Sequence, residues 1–135
     1  MSKKTKAPAS NQAGLAEIVL KYIHDGVIIT DKSGIIQFIN PAAVTMTECG
    51  APDQALGLDY GLIIKLETKE GRALNENENP LIQAMKTGQA VESVEVALIT
   101  SQSEKRIPIA LTVLPVENVS PNRIITFRNI TKELE

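Results

Sequence analysis

The stretch from Asp25 to Ala43 leaves the chain few ways to fold. Val27 to Thr30 is a largely β-branched run, which suits a pleated, half-buried surface. Asp31 and Gly34 bracket a tight turn, because an aspartate can hydrogen-bond its own backbone and a glycine accepts positive φ. Ile35 to Ile39 returns as a second strand. Asn40 is then placed to cap a helix, and Pro41 fits its first position, where no amide donor is needed.

Leu15, Ile18, Val19, Tyr22 and Ile23 recur at helical spacing ahead of this unit. They predict an amphipathic helix over 15–24, with residues 1–14 as a disordered tail. Its stripe must be buried against the domain or against a second copy of the chain. After the hairpin a helix runs from Pro41 to about Cys49 and is stopped by Gly50. Pro52, Gly57 and Gly61 cut the next segment into short helices, and Leu62 to Leu66 reads as a helical turn or a short strand. Asn79, Pro80 and Gly88 punctuate another short helix, with Leu81, Ile82 and Met85 on one face.

The last third has period two. Val94, Val96 and Leu98 form one alternating set; Ile107, Ile109, Leu111 and Val113 a second; Ile125 and Phe127 a third. Strands are predicted over 94–100, 106–116 and 123–130, joined by polar turns at 101–105 and 117–122, so the pairing is antiparallel. Pro108 then needs an edge, a bulge, or a place facing away from the ladder. With the first hairpin this makes five strands, and one layer of short helices over one antiparallel sheet buries the pattern economically, an α+β fold.

The chain's 135 residues suit one domain, and its net charge of −2 disfavours nucleic acid as a partner. Lys3, Lys4 and Lys6 lie in the polar tail and read as solvated charge. No apolar run approaches the ~20 residues of a membrane span, and the first lysines lead into no apolar signal core. Cys49 is the one cysteine, which fits a reducing, cytoplasmic setting. Aromatic residues are 3% with no Trp, so the core is aliphatic and few rings are available to stack on a flat cofactor.

These pieces, in this order, resemble the PAS domain family over about Leu15 to Thr131. The resemblance rests on Asp25-Gly26 opening the first strand, Asp31-x-x-Gly34 in the hairpin, and Asn40-Pro41-Ala42-Ala43 starting the first helix. Gly57, Asn79-Pro80-Leu81 through Gly88, Pro115, and Phe127-Arg128-Asn129-Ile130-Thr131 complete it. It implies a five-stranded antiparallel sheet over residues 25–131, with helices on one face and a small-molecule cavity between. It also implies a non-catalytic sensory or regulatory role beside an output domain such as a bacterial sensor histidine kinase or a cyclic-dinucleotide enzyme. The family usually closes on Asp-Ile-Thr; here Asn129-Ile130-Thr131 stands, and an asparagine hydrogen-bonds but forms no charged pair. Lys132 to Glu135 reads as the start of a linker helix, which points to a longer parent or else to a module that acts alone, the longer parent being the favoured expectation.

Ile28, Ile39, Met46, Leu66, Ile82, Met85, Val96, Leu98, Ile109, Leu111, Ile125 and Phe127 read first as a plain packed core, and are also the candidate walls of a cavity. Asn40, Thr45, Tyr60, Thr112 and Thr126 are candidate polar groups. Asn129, Ile130 and Thr131 are the candidate relay, and Leu15, Ile18, Val19, Tyr22 and Ile23 the candidate dimer helix. No catalytic or metal set is visible: His24 and Cys49 lack a third orienting group, and Glu67, Glu70, Glu76 and Glu78 lie in loop-like sequence as a solvated surface. Haem is not expected, since residues 80–87 hold Met85 but no histidine. Flavin thiol chemistry is not expected either, since Cys49 sits in Thr47-Glu48-Cys49-Gly50 rather than an Asn-Cys-Arg motif. The expected partners are a second copy, a small ligand and an output domain; a ligand-free protein–protein module is the competing reading.

Overall fold

The computed structural model describes residues 23–116 and 122–134. Asp31 makes the first turn as its chemistry dictates. Its Oδ1 accepts from the amides of Ser33 at 2.9 Å and Ile35 at 3.0 Å, and Gly34 follows at φ 92°. The strands on either side are β1 (Gly26–Asp31) and β2 (Ile36–Ile39). Helices α1 (Pro41–Thr47) and α2 (Pro52–Ala55) come next, followed by a 3₁₀ turn at Tyr60–Leu62. Then come β3 (Lys65–Glu67), α3 (Pro80–Thr87), β4 (Val91–Ile99), β5 (Arg106–Val116), β6 (Asn122–Asn129) and α4 (Thr131–Leu134).

All strands join one antiparallel sheet in the order β2-β1-β6-β5-β4-β3. The sheet has six strands rather than the five expected. The extra one is β3, from the segment that read as helical turn or strand. It pairs with the outer half of β4 and lays Leu66 opposite Leu98, so that Leu66 joins the core. Ordinary register then places Ile28, Leu66, Val96, Leu98, Ile109, Leu111, Val113, Ile125 and Phe127 on one face of the sheet. The core lies between that inner face and the buried residues Ala43, Ala55, Leu81 and Ala84 of the helices.

Two boundaries differ notably from the sequence reading. Helix α1 stops at Thr47, because Glu48 itself takes the left-handed conformation at φ 58° and donates its amide to Val44 O. Strand β4 starts at Val91, before the alternating run, through a bulge in which Ser93 sits at φ 53° and its amide reaches Thr112 Oγ1 at 3.2 Å. The first helix expected, over 15–24, lies mostly outside the described residues; Ile23 and His24 belong to no helix.

Pro108 is accommodated at the end of a ladder. Its carbonyl accepts from the Ile130 amide at 3.0 Å, so its nitrogen faces the same way, just past the last β5–β6 pair, Ile109 with Asn129. The missing donor therefore helps end β6.

Gly26 is where the backbone of β1 comes closest to a ring. A Cβ added there would lie 2.4–2.8 Å from three atoms of the Phe127 ring, which is itself 1% exposed and unable to retreat. Gly26→Ala is expected to lower unfolding free energy by ~1–3 kcal/mol, the usual cost of overpacking, read as a lower urea midpoint at unchanged m-value.

Candidate functional site

The candidate site is the cleft between the inner face and the helices. Asn40 fixes its floor at the β2–α1 junction and is fully buried. Its Oδ1 accepts from the Val27 amide at 2.8 Å and the Ala43 amide at 2.9 Å, and its Nδ2 donates to Asp25 O at 3.0 Å. One side chain thus caps α1 and holds the start of β1. Ile28, Ile39, Leu66, Val96, Leu98, Ile109, Leu111, Ile125 and Phe127 form one apolar cluster, with Met46, Tyr60 and Met85 packed against it. Ile82 stands apart: it is half-buried outside the cluster, while Leu81 and Ala84 take the inward positions of α3. Ile28, Leu98, Ile109, Leu111 and Ile125 are 0% accessible, so no water-sized void opens onto them. The looser part of the cleft is its rim, where Met46, Tyr60, Leu74, Met85, Val91, Val94 and Ile107 are half-buried.

The polar candidates are dispersed. Thr112 and Thr126 pair across β5 and β6 on the outer face, and Thr45 is exposed on α1. Their parity against Ile125, Phe127 and Leu111 already implied this. Tyr60 lays its ring over Gly34, where an added Cβ would come within 2.9 Å of it. Burial first, then the Asp59 charge, raises its hydroxyl above the ordinary tyrosine value. The same parity puts Arg123 on the inner face, a residue the sequence reading passed over. It is 6% exposed, and its Nη2 passes beside Gly88 at the end of α3.

The candidate relay residues form a tight joint. Ile130 is buried and bonded to Pro108, as described above. The Asn129 Oδ1 accepts from the Thr131 amide at 2.9 Å and from the Thr131 hydroxyl at 2.6 Å, at the start of α4. The uncharged asparagine thus serves here through hydrogen bonds. Of the proposed dimer stripe, Leu15, Ile18, Val19 and Tyr22 lie outside the described residues, and Ile23 is half-buried.

The outer face carries a second surface. Phe38, Ile29, Ile124 and Leu114 stand in register across β2, β1, β6 and β5, with Leu114 40% exposed. The opposite end is charged: Arg106 Nε meets Glu67 at 3.1 Å, and Lys69 meets Glu95 at 3.0 Å.

Among the described residues, no group of three or more His, Cys, Asp or Glu is arranged to hold a metal. Two carboxylates instead act as clips. Glu78 takes both Arg72 Nη1 and Nη2 at 2.9 Å, and this guanidinium, with the Asn75 amide, holds its pKa down to about 2. Glu48 accepts from the Ser103 amide at 2.7 Å, from the Ser103 hydroxyl at 2.9 Å and from the Gln102 amide at 3.3 Å, which lowers its pKa below the ordinary 4.5.

The PAS domain family profile matches residues 24–132. Comparison with curated proteins finds no match. Among solved structures, the PAS domain of nitrogen regulation protein NR(II) from Vibrio parahaemolyticus is 18% identical at TM-score 0.63, covering 86% of this chain and 98% of that one. A domain of a sensory box sensor histidine kinase/response regulator from Geobacter sulfurreducens is 16% identical at TM-score 0.65, covering 87% and 94%. The E. coli DhaR(N)–DhaL complex contains a chain 20% identical at TM-score 0.65, covering 94% of this chain and 39% of that one. An antiparallel sheet backed on one face by short helices around an apolar core defines an α+β module. The chain belongs to the PAS domain family, whose members are typically non-catalytic sensor modules.

Both depressed carboxylates give stability that is complete above their unfolded value near 4.5 and is lost as pH falls toward their folded values, about 2 for Glu78. Urea midpoints are therefore expected to fall between about pH 6 and about pH 3. The drop should be shallower in the Glu48→Gln/Glu78→Gln double variant.

Proposed function

We propose that this chain is the cytoplasmic sensor or regulatory module of a signal-transduction protein, with a bacterial sensor histidine kinase as the favoured parent. A diguanylate cyclase or phosphodiesterase is the alternative parent. The joint at Asn129–Thr131 carries this reading: a buried isoleucine and a doubly bonded asparagine tie the last strand to the first turn of α4. A shift of the sheet against its helices would therefore turn α4 as well. A bound molecule drives such a shift only by its differential affinity for the two packings. A small ligand would lodge at the half-buried rim of the cleft, where Met46, Tyr60 and Met85 can repack. No haem or flavin is proposed.

The zero accessibility of the central rows favours a second reading, a ligand-free interaction module. Native mass spectrometry of the purified chain separates the two: a co-purifying small molecule supports the sensor, and a bare chain across several preparations supports the interaction module.

A homodimer forms part of the proposal. The apolar stripe at 15–23 precedes β1 in the sequence, and the outer face of β1 belongs to the apolar row of half-buried Phe38, Ile29 and Ile124 and exposed Leu114. The full chain is expected to sediment as a dimer and a variant lacking residues 1–24 as a monomer. A monomer in both cases removes the dimer from the account.

A further inference from the structure

We infer that the seam between α1 and the β4–β5 hairpin is the passage into the cleft, and that Glu48 is the strap that holds it shut. The inference takes the cleft as the sensory site, but the opening itself requires no ligand.

Two other margins are closed by backbone or by packed apolar groups. Along the free edge of β2, the Ile36 amide donates to Leu58 O at 2.8 Å, Gly57 to Ile36 O at 2.9 Å and Tyr60 to Gly34 O at 2.9 Å. At the β5–β6 end, Ile130 is inserted and bonded to Pro108. At the α1 seam the backbone contributes a single bond among the described residues, Ser101 N–H to Thr47 O at 2.9 Å. The rest is the Glu48 carboxylate on Gln102 and Ser103. Those groups are exposed, so water can replace each contact, and opening there costs far less than parting the core.

A shallow depression of about 500 Å³ marks the seam, lined by Val44, Thr45, Glu48, Gly50, Gln102 and Ser103. Directly behind it, Val44 and Cys49 pack against the apolar cluster. The strap is also held under backbone strain. Glu48 sits at φ 58°, a conformation that favours glycine, and this aims its carboxylate across to the hairpin. Thr100, 2% exposed, anchors the far side: its Oγ1 lies 3.0 Å from Ser103 Oγ and accepts from the Lys105 amide at 2.8 Å. Releasing Ser103 would therefore free the tip of the hairpin while its base stays bonded.

Cys49 is a built-in reporter, because it is the sole thiol, adjoins the strap and is half-buried. The test is the rate at which an aromatic disulfide reagent labels the full native chain at fixed pH. Glu48→Gly deletes the carboxylate while relieving the left-handed backbone, so it separates the strap from stability. It is expected to label ~10-fold faster or more, the scale of losing hydrogen bonds to a charged group. Ser103→Ala should also label faster. Arg72→Gln, which breaks the separate clip to Glu78, should label at the natural rate. The inference is overturned if Glu48→Gly labels at the natural rate, or if its acceleration matches its loss of global stability in urea. Because the readout needs no bound molecule, its failure leaves the sensory reading intact. Failure to find a ligand, in turn, leaves the strap intact.

Discussion

Six residue pairs between β1 and β6, from Gly26 with Phe127 to Asp31 with Asn122, hold the two ends of the domain in one sheet. Nearly a hundred residues separate these strands, so the chain loses considerable loop entropy before the pairing returns anything. What repays it is burial on the inner side of the seam. Ile28 faces Ile125 there, and the Phe127 ring covers the bare backbone of Gly26. Without this ladder the first hairpin would be an isolated two-stranded ribbon, marginal at best in water. The core would also lose one wall.

Asn40 gives the seam its register. The Asn40 side chain satisfies the Val27 amide, and its own amide donates to Val27 O at 3.0 Å. Val27 is thereby committed to the β2 side, and Ile28 is turned toward β6. The same carboxamide starts α1, so helix, hairpin and seam share one anchor. At its far end α1 is tied to the hairpin by groups that water can replace. This contrast between a rigid root and a releasable tip lets one helix belong to the scaffold and also open. The joint at Asn129–Thr131 sits at the end of the same β6 strand.

Much of this was legible in the residues. Turn chemistry at Asp31 and Gly34, the caps at Asn40 and Asn79, and period two in the last third all reflect local physics, and these elements appear where expected. Parity along β6 also carried a signal that the sequence reading did not use: it sets Arg123 on the face of Ile125 and Phe127, and Thr126 on the other. Strand β3 was ambiguous because three residues carry almost no periodicity; their state is set by the free edge of β4, a tertiary fact. The Glu48–Ser103 strap was invisible for a similar reason. Its members are 55 residues apart, and a glutamate in left-handed conformation leaves no mark in composition. Leu81 and Ile82 are adjacent apolar positions on a short helix, and which of them turns inward is undetermined until the sheet is present.

Native-state hydrogen exchange of the Ile28 and Ile125 amides tests the seam most directly. By alternation from Val27, the Ile28 amide points into the β1–β6 ladder, where Ile125 is its partner. If the seam is the element on which the domain rests, both amides exchange only through global unfolding, with the same opening free energy as urea denaturation reports. Exchange of Ile28 well ahead of Leu111 in the centre of β5 would show the hairpin parting from an intact sheet, and would contradict the account.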